Sequence, residues 1–179
     1  MFRKIRRFGT NVSKNVKGLN IRKQEKSGQE KLKLDEIDKK ILRALMSDPR
    51  MSLRDIAAFT TNSVGTIRER LGKMQKYHVI KGYTAIIDPA KVGYRITAVI
   101  EIFESKKGLG LIEDNIKNMP NVCGVYSVTG STDVIVIARF HDSEELNDFV
   151  RKILRMKNVS RTETLIVLDT YKEDFRPMV

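Results

Sequence analysis

One cysteine and two histidines in 179 residues exclude a good deal before any pattern is traced. Cys123 alone cannot form an intramolecular disulfide, and a lone thiol in an apolar strand is ordinarily a small core residue. His78, His141 and Cys123 are too far apart in sequence for a zinc site, so neither metal nor cofactor is expected. Paired carboxylates, a thiol–histidine arrangement and a phosphate-cradling glycine loop are all missing, which argues against an enzyme and leaves no catalytic residue to name. No apolar run approaches the roughly 18–20 residues that span a bilayer, and residues 1–20 lack the continuous apolar stretch of a secretory signal. The expectation is a soluble cytoplasmic protein without a transmembrane segment.

Positive charge, by contrast, is abundant. There are 34 Lys and Arg against 22 Asp and Glu, a formal net charge of +12. Clustered cations gain by displacing counterions from a polyanion, so nucleic acid is the first partner to consider and an anionic membrane the second. Residues 1–33 hold 11 basic and 2 acidic residues, 34–84 hold 10 and 6, and 85–179 hold 13 and 14, giving nets of +9, +4 and −1. A DNA-binding head on a nearly neutral body would have this profile.

The spacing of apolar residues supports two small cores rather than one. In residues 1–31, Phe2, Ile5, Phe8, Val12, Val16 and Leu19 recur at helical intervals. This extension reads as a basic amphipathic helix formed on DNA, on a membrane or on a neighbour, or as a tail without structure. From Leu34, the stripe Leu34, Ile37, Ile41, Leu42 and Leu45 predicts a helix opened by Asp35 and stopped near Asp48-Pro49. Ser52, answered by Asp55, caps a short second helix carrying Leu53, Ile56 and Ala57. Thr60-Thr61-Asn62 is a tight polar turn. Ser63 caps a third helix with Val64, Ile67, Leu71 and Met74 inward and Gly65, Thr66, Glu69 and Lys73 outward, flanked by Arg68 and Arg70. Gly72, unfavourable in mid-helix by about 1 kcal/mol, calls for close packing or a bend.

Short helix, tight turn and longer helix with a cationic exterior make a helix-turn-helix pattern. Ser63, Val64, Gly65, Thr66, Arg68, Glu69, Arg70, Lys73 and Arg54 are its candidate DNA-facing residues. Of these, Arg68, Thr66 and Gly65 are placed near bases, and Arg54, Arg70 and Lys73 at phosphates. Next, residues 79–87 read as a wing or hinge strand ending at Asp88-Pro89. Strands at 96–103, 122–129, 133–140 and 160–169 then alternate with two helices. The first is marked by Leu109, Ile112, Ile116 and Met119, the second by Leu146, Phe149, Val150, Ile153 and Leu154. The order βαββαβ implies an α+β, ferredoxin-like domain with both helices on one face of a four-stranded sheet. Its uncovered aliphatic face predicts a homodimer or larger homo-oligomer. The expected boundaries are 1–31 extension, 32–84 DNA-binding domain with (winged) helix-turn-helix, 85–95 hinge, 96–172 sensing and assembly domain, and 173–179 tail.

Several of these stretches resemble one family. Leu34-Asp35-Glu36-Ile37-Asp38-Lys39-Lys40-Ile41-Leu42 is similar to the opening helix of the Lrp/AsnC, or feast/famine, regulators. Residues 63–71 resemble their recognition helix, and Val79-Ile80-Lys81-Gly82-Tyr83-Thr84 the strand that follows. Val128-Thr129-Gly130-Ser131-Thr132-Asp133 resembles the Gly-x-x-Asp turn of their sensing domain. The likeness runs over residues 32–172. It implies a transcription regulator of double-stranded DNA, associated with the nucleoid, whose effector is an amino acid held at contacts between dimers. By that resemblance, Asp133 meets the ligand's ammonium group, Gly130 leaves it room, and Thr132, Thr162 and Thr164 supply hydroxyls.

The sequence departs from the family where Thr60 and Asn62 replace apolar turn residues and His78 replaces a helix-ending Gly. Phe59 is expected to supply the missing apolar contact. Two other readings stand beside the regulator. One is an enzyme like the sirohaem decarboxylases, which share the two-domain build but use histidines that have no counterpart here. The other is a weakly specific architectural DNA-binding protein.

Overall fold

The computed structural model describes residues 32–105 and 111–179. The basic extension 1–31 and Leu109 lie outside these residues. Two compact units are present, one made of the described residues up to Thr84 with Arg176–Val179, the other of Ala85–Phe175.

The first unit holds three helices, α1 (Glu36–Ser47), α2 (Leu53–Thr60) and α3 (Val64–Lys76). Each starts where a short polar side chain can accept an amide that has no helical partner. Asp35 accepts from the amide of Asp38 and Ser52 from that of Asp55, and in each case the second side chain answers the first with a reciprocal bond to its amide. Ser63 caps α3 by accepting from the amide of Thr66. Ile41, Ile56, Ala57, Ile67, Leu71 and Met74 interlock as the core, with Val64 and Ile80 packed at its edge.

Two expectations fail here for a visible reason, and a third loses one of its two alternatives. Phe59 does not fill the turn; it is 60% exposed, and Thr60 is buried instead. The Thr60 hydroxyl is satisfied by the carbonyl of Ile56 at 2.8 Å, so a polar residue occupies an apolar site at little cost. Gly72 is exposed, and a Cβ built on it would meet nothing within 4 Å, so close packing does not explain it. Residues 79–87 form no strand. Their apolar content allows extended structure, but a ladder needs a partner edge, and none pairs with them among the described residues.

The second unit is a sheet with two helices. Its strands are β1 (Ile96–Glu104), β2 (Val122–Ser127), β3 (Val134–Phe140) and β4 (Val159–Ile166), in the order β2-β3-β1-β4, all pairs antiparallel. The helices are α4 (Leu111–Ile116) and α5 (Ser143–Leu154). Strict alternation puts Ala98, Ile100, Ile102, Val134, Val136, Ala138 and Phe140 into one core with Ile112, Ile116, Leu146, Phe149 and Ile153 from the helices. Val99, Phe103, Ile135, Ile137 and Leu165 point to the opposite face, as period-two geometry requires. Two residues assigned to the core in the sequence do not reach it. Leu154, on the last turn of α5, is 46% exposed. Cys123 is exposed on β2, which has a neighbour on one side only and a register shift between Val122 and Gly124.

Candidate functional site

The helix-turn-helix exterior is built outward from the α3 anchors. With Ile67, Leu71 and Met74 buried, helical geometry leaves Gly65, Arg68, Glu69, Gly72, Lys73 and Lys76 facing solvent. Val64 is half-buried against the core rather than presented outward. The capping bond from Ser63 takes the amide of Thr66 at 3.1 Å, and the two hydroxyls lie 2.9 Å apart. The amides of Val64 and Gly65 precede the first intrahelical acceptor, which is the arrangement that favours an anionic oxygen.

The cations fall into three states. Arg54 and Arg68 are exposed and make no hydrogen bond or ion pair among the described residues. Lys73 pairs with Glu69 at 2.7 Å one turn away, which holds the Glu69 carboxyl below and the Lys73 ammonium above their ordinary values, chiefly through that hydrogen bond. Arg70, expected at a phosphate, turns toward α1, where its Nη1 lies 2.7 Å from Asp35 Oδ2 and 2.9 Å from Asp38 Oδ1. A cleft of about 340 Å³ runs beside this contact, lined by Leu32, Lys33, Asp35, Asp38, Thr66, Glu69, Arg70 and Lys73.

Both ends of α3 are bracketed by left-handed backbone at residues other than glycine. Thr61, in the turn, has φ 56°, and His78, one residue beyond the C-cap, also has φ 56°. Around His78, the amide of Val79 bonds the carbonyl of Met74 at 2.8 Å and the amide of His78 that of Gln75 at 3.0 Å. Those two bonds form a Schellman closure, which glycine fits best. The shape of the helix end is therefore kept although its preferred residue is absent.

In the sheet unit, the turn between β2 and β3 is fastened to the end of β1. The amide of Asp133 and the hydroxyl of Thr132 both reach the carbonyl of Ile102 at 3.1 Å, and Asp133 Oδ2 accepts from the amide of Glu104 at 2.8 Å. Gly130 has φ +129°, and a Cβ built there would meet open space, so backbone conformation rather than crowding selects glycine. Thr162 and Thr164 stand across β1, paired with Ile102 and Ile100, on the strand opposite the turn. Gly130, Thr132 and Asp133 are thus gathered in one place, with Thr162 flanking the same end of β1.

Two carboxylates near this turn were not singled out in the sequence. Burial, followed by the charges of Glu113 and Asp133, raises the Glu104 carboxyl above its ordinary value. Glu113 Oε2 is buried without a hydrogen-bond partner among the described residues. Their separation along the chain hides this grouping, since only sheet and helix packing bring 104, 113 and 133 together. Neither histidine joins them. His78 ends α3, while His141 stacks on Tyr94 with ring centroids 4.3 Å apart and pairs with Glu145 at 2.8 Å. Among the described residues, no group of His, Cys, Asp and Glu could hold a metal ion, and no helix is long and apolar enough to cross a membrane.

Comparison with known proteins agrees with this geometry. Residues 34–81 match the family described as winged helix-turn-helix DNA-binding, and residues 97–177 match the Lrp/AsnC ligand binding domain. An HTH-type transcriptional regulator of Pyrococcus abyssi is 43% identical over 143 residues, covering 80% of this chain and 97% of its own. Another HTH-type transcriptional regulator, from Pyrococcus horikoshii, is 41% identical over 140 residues, covering 78% and 93%. A feast or famine regulatory protein from M. tuberculosis, solved in complex with L-methionine, is 27% identical with a TM-score of 0.76, covering 82% of this chain and all of that one. These relatives are named as regulators and not as enzymes. With both units matched in order and relatives aligned over nearly their whole length, the chain belongs to the Lrp/AsnC family of transcriptional regulators.

Proposed function

We propose that the first unit reads duplex DNA with sequence preference through α3, and that the second unit holds a free amino acid whose binding shifts the assembly of a homodimer or larger homo-oligomer. The observation that carries the DNA reading is the exterior of α3. Arg68 is exposed and unengaged beside Gly65, at the start of a helix whose other side is locked into the core. Arg68 suits a guanine edge, Thr66 offers a methyl or hydroxyl, and Arg54 and Lys73 suit phosphates on either rim. Glu69 offsets the charge of Lys73 until a phosphate replaces it.

For sensing, the carboxylates of Glu104, Glu113 and Asp133 give the turn the sign that an α-ammonium group requires, and Gly130 keeps the approach open. The effector's influence on DNA binding equals its differential affinity for the two assemblies and no more. The half-buried aliphatic row of Val99, Ile135 and Ile137, on the face without helices, supports association with a second copy.

Selection from a random duplex pool, followed by competition with scrambled DNA, tests the reading. Arg68→Ala is expected to relax base preference by about 1–3 kcal/mol at one position while the protein stays folded. Equal affinity of the wild type for selected and scrambled duplex would instead support an architectural protein. For the effector, a thermal-shift screen of free amino acids should show a shift that Asp133→Ala abolishes.

A further inference from the structure

Arg70 was expected to serve as a phosphate contact; its surroundings give it another task. The Asp35 and Asp38 carboxylates each use one oxygen in the reciprocal cap of α1. Asp35 Oδ1 accepts from the amide of Asp38 at 2.9 Å, and Asp38 Oδ2 from the amide of Asp35 at 3.1 Å. The remaining oxygen of each, Asp35 Oδ2 and Asp38 Oδ1, is the one that faces Arg70, and the same Nη1 meets both. One guanidinium nitrogen on α3 therefore closes a fully used set of acceptors at the first turn of α1.

The environment distinguishes this contact from the pairs on the surface. The Asp38 side chain is only 10% exposed and that of Arg70 25%, whereas Glu69 and Lys73 are more than half exposed. The hydrogen bonds to Asp38 and then Asp35 hold the Arg70 guanidinium more firmly protonated than usual. Moving Arg70 to a phosphate would strip two carboxylates of their shared cation, one of them nearly buried, which opposes the exchange. Beyond this pair, α1 and α3 share the apolar core in which Ile41 clusters with Ile67, Leu71 and Met74; burial is non-directional, so the ion pair adds the constraint on orientation.

We infer that Arg70 is a positioning residue: a strut that fixes the rotation and axial placement of α3 on α1, and so the direction in which Arg68, Thr66 and Gly65 face the groove. It acts through those residues without touching DNA itself. The inference rests on α3 being the DNA-reading helix.

The test uses the full chain and the duplex that the wild type enriches from a random pool, with scrambled duplex as competitor, across a salt series. A phosphate contact contributes about one unit to the slope of log affinity against log salt. Arg70→Gln is expected to lower the selected-to-scrambled affinity ratio about tenfold, the scale of one lost base-pair recognition, and to leave the slope unchanged. Asp38→Asn, which removes charge but keeps an acceptor for the cap, should lower the ratio similarly. The double variant should be no worse than either single one, because both break the same link. Lys73→Ala serves as the control that reduces the slope. A slope reduced by about one in Arg70→Gln, with binding unharmed or improved by Asp38→Asn, would overturn the strut. Failure of the wild type to enrich any sequence would overturn the DNA reading instead, so the two failures are told apart. All variants are compared below their unfolding temperatures, where loss of fold cannot mimic loss of direction.

Discussion

The two units solve the same backbone problem differently. Where the sheet unit takes left-handed backbone among its described residues, it has Gly93, Gly130 and Asn158, all of which tolerate that conformation. Where the helix-turn-helix does so, it has Thr61 and His78. A β-branched residue at φ 56° is the less favourable of the two, because its Cβ substituents crowd the following carbonyl. The helix-turn-helix also carries Gly72 in the exposed middle of α3. Strain and weak helix propensity thus gather around one helix, and the central strands β1 and β3 of the sheet unit show the regular alternation of a packed core. The difference teaches that the helix-turn-helix is held in shape by its caps, its small core and the Arg70 link, against local preferences that run the other way.

The largest effect that sharpens the contrast belongs to the sheet. Phe140 is fully buried and meets Phe149 edge to face at 5.2 Å. Phe140→Ala should cost about 3–5 kcal/mol, read as lost hydrogen-exchange protection in β1 and β3. A cost below about 1 kcal/mol would mean the core is far looser than its alternation implies.

Glycine substitutions should work in the opposite direction in the helix-turn-helix. Relieving the left-handed penalty outweighs the added freedom of the unfolded chain, so Thr61→Gly is expected to stabilise by about 1 kcal/mol and His78→Gly by about 0.5–1 kcal/mol. Gly72→Ala should add about 1 kcal/mol from helix propensity alone, since its Cβ meets nothing. Chemical denaturation measures all three. If none raises the midpoint, the claimed difference between the units disappears.

The smallest effect concerns pH. The amide of His141, then the Asn121 side chain and the His141 ring, bond the Glu145 carboxyl and lower it to about 2 from the ordinary 4.5. A depressed carboxylate stabilises the fold above its ordinary value, and that contribution is lost as pH falls from about 4.5 towards 2. Glu145 is about one-third exposed, so solvent screening keeps the contribution below about 1 kcal/mol. Glu145→Gln should therefore be slightly less stable than the parent at neutral pH and equal to it near pH 2. A gap that widens on acidification would contradict the cause assigned here.

Much of this architecture was legible in the residues because the signals are local. Asp35, Ser52 and Ser63 announced three helix starts, since each cap bonds an amide three residues away. The alternation at β3 announced a strand with one buried face. Residues 79–87 misled because an apolar run says nothing about whether a partner edge exists. Phe59 misled for a related reason: its apolar character gives no direction, and Thr60 could enter the core only because its hydroxyl found a helical carbonyl.

By itself, then, the sequence determined the order of the helices and of the four sheet strands, the caps and the inward stripes, because these depend on neighbours within a turn or a strand. Tertiary structure alone decided that Arg70 would join Asp35 and Asp38, more than thirty residues away, rather than face solvent with Arg68. It alone gathered Glu104, Glu113 and Asp133 around one turn. The physical reason is that charge pairing and desolvation depend on distance in space, and periodicity fixes only the direction in which a side chain leaves its own helix or strand.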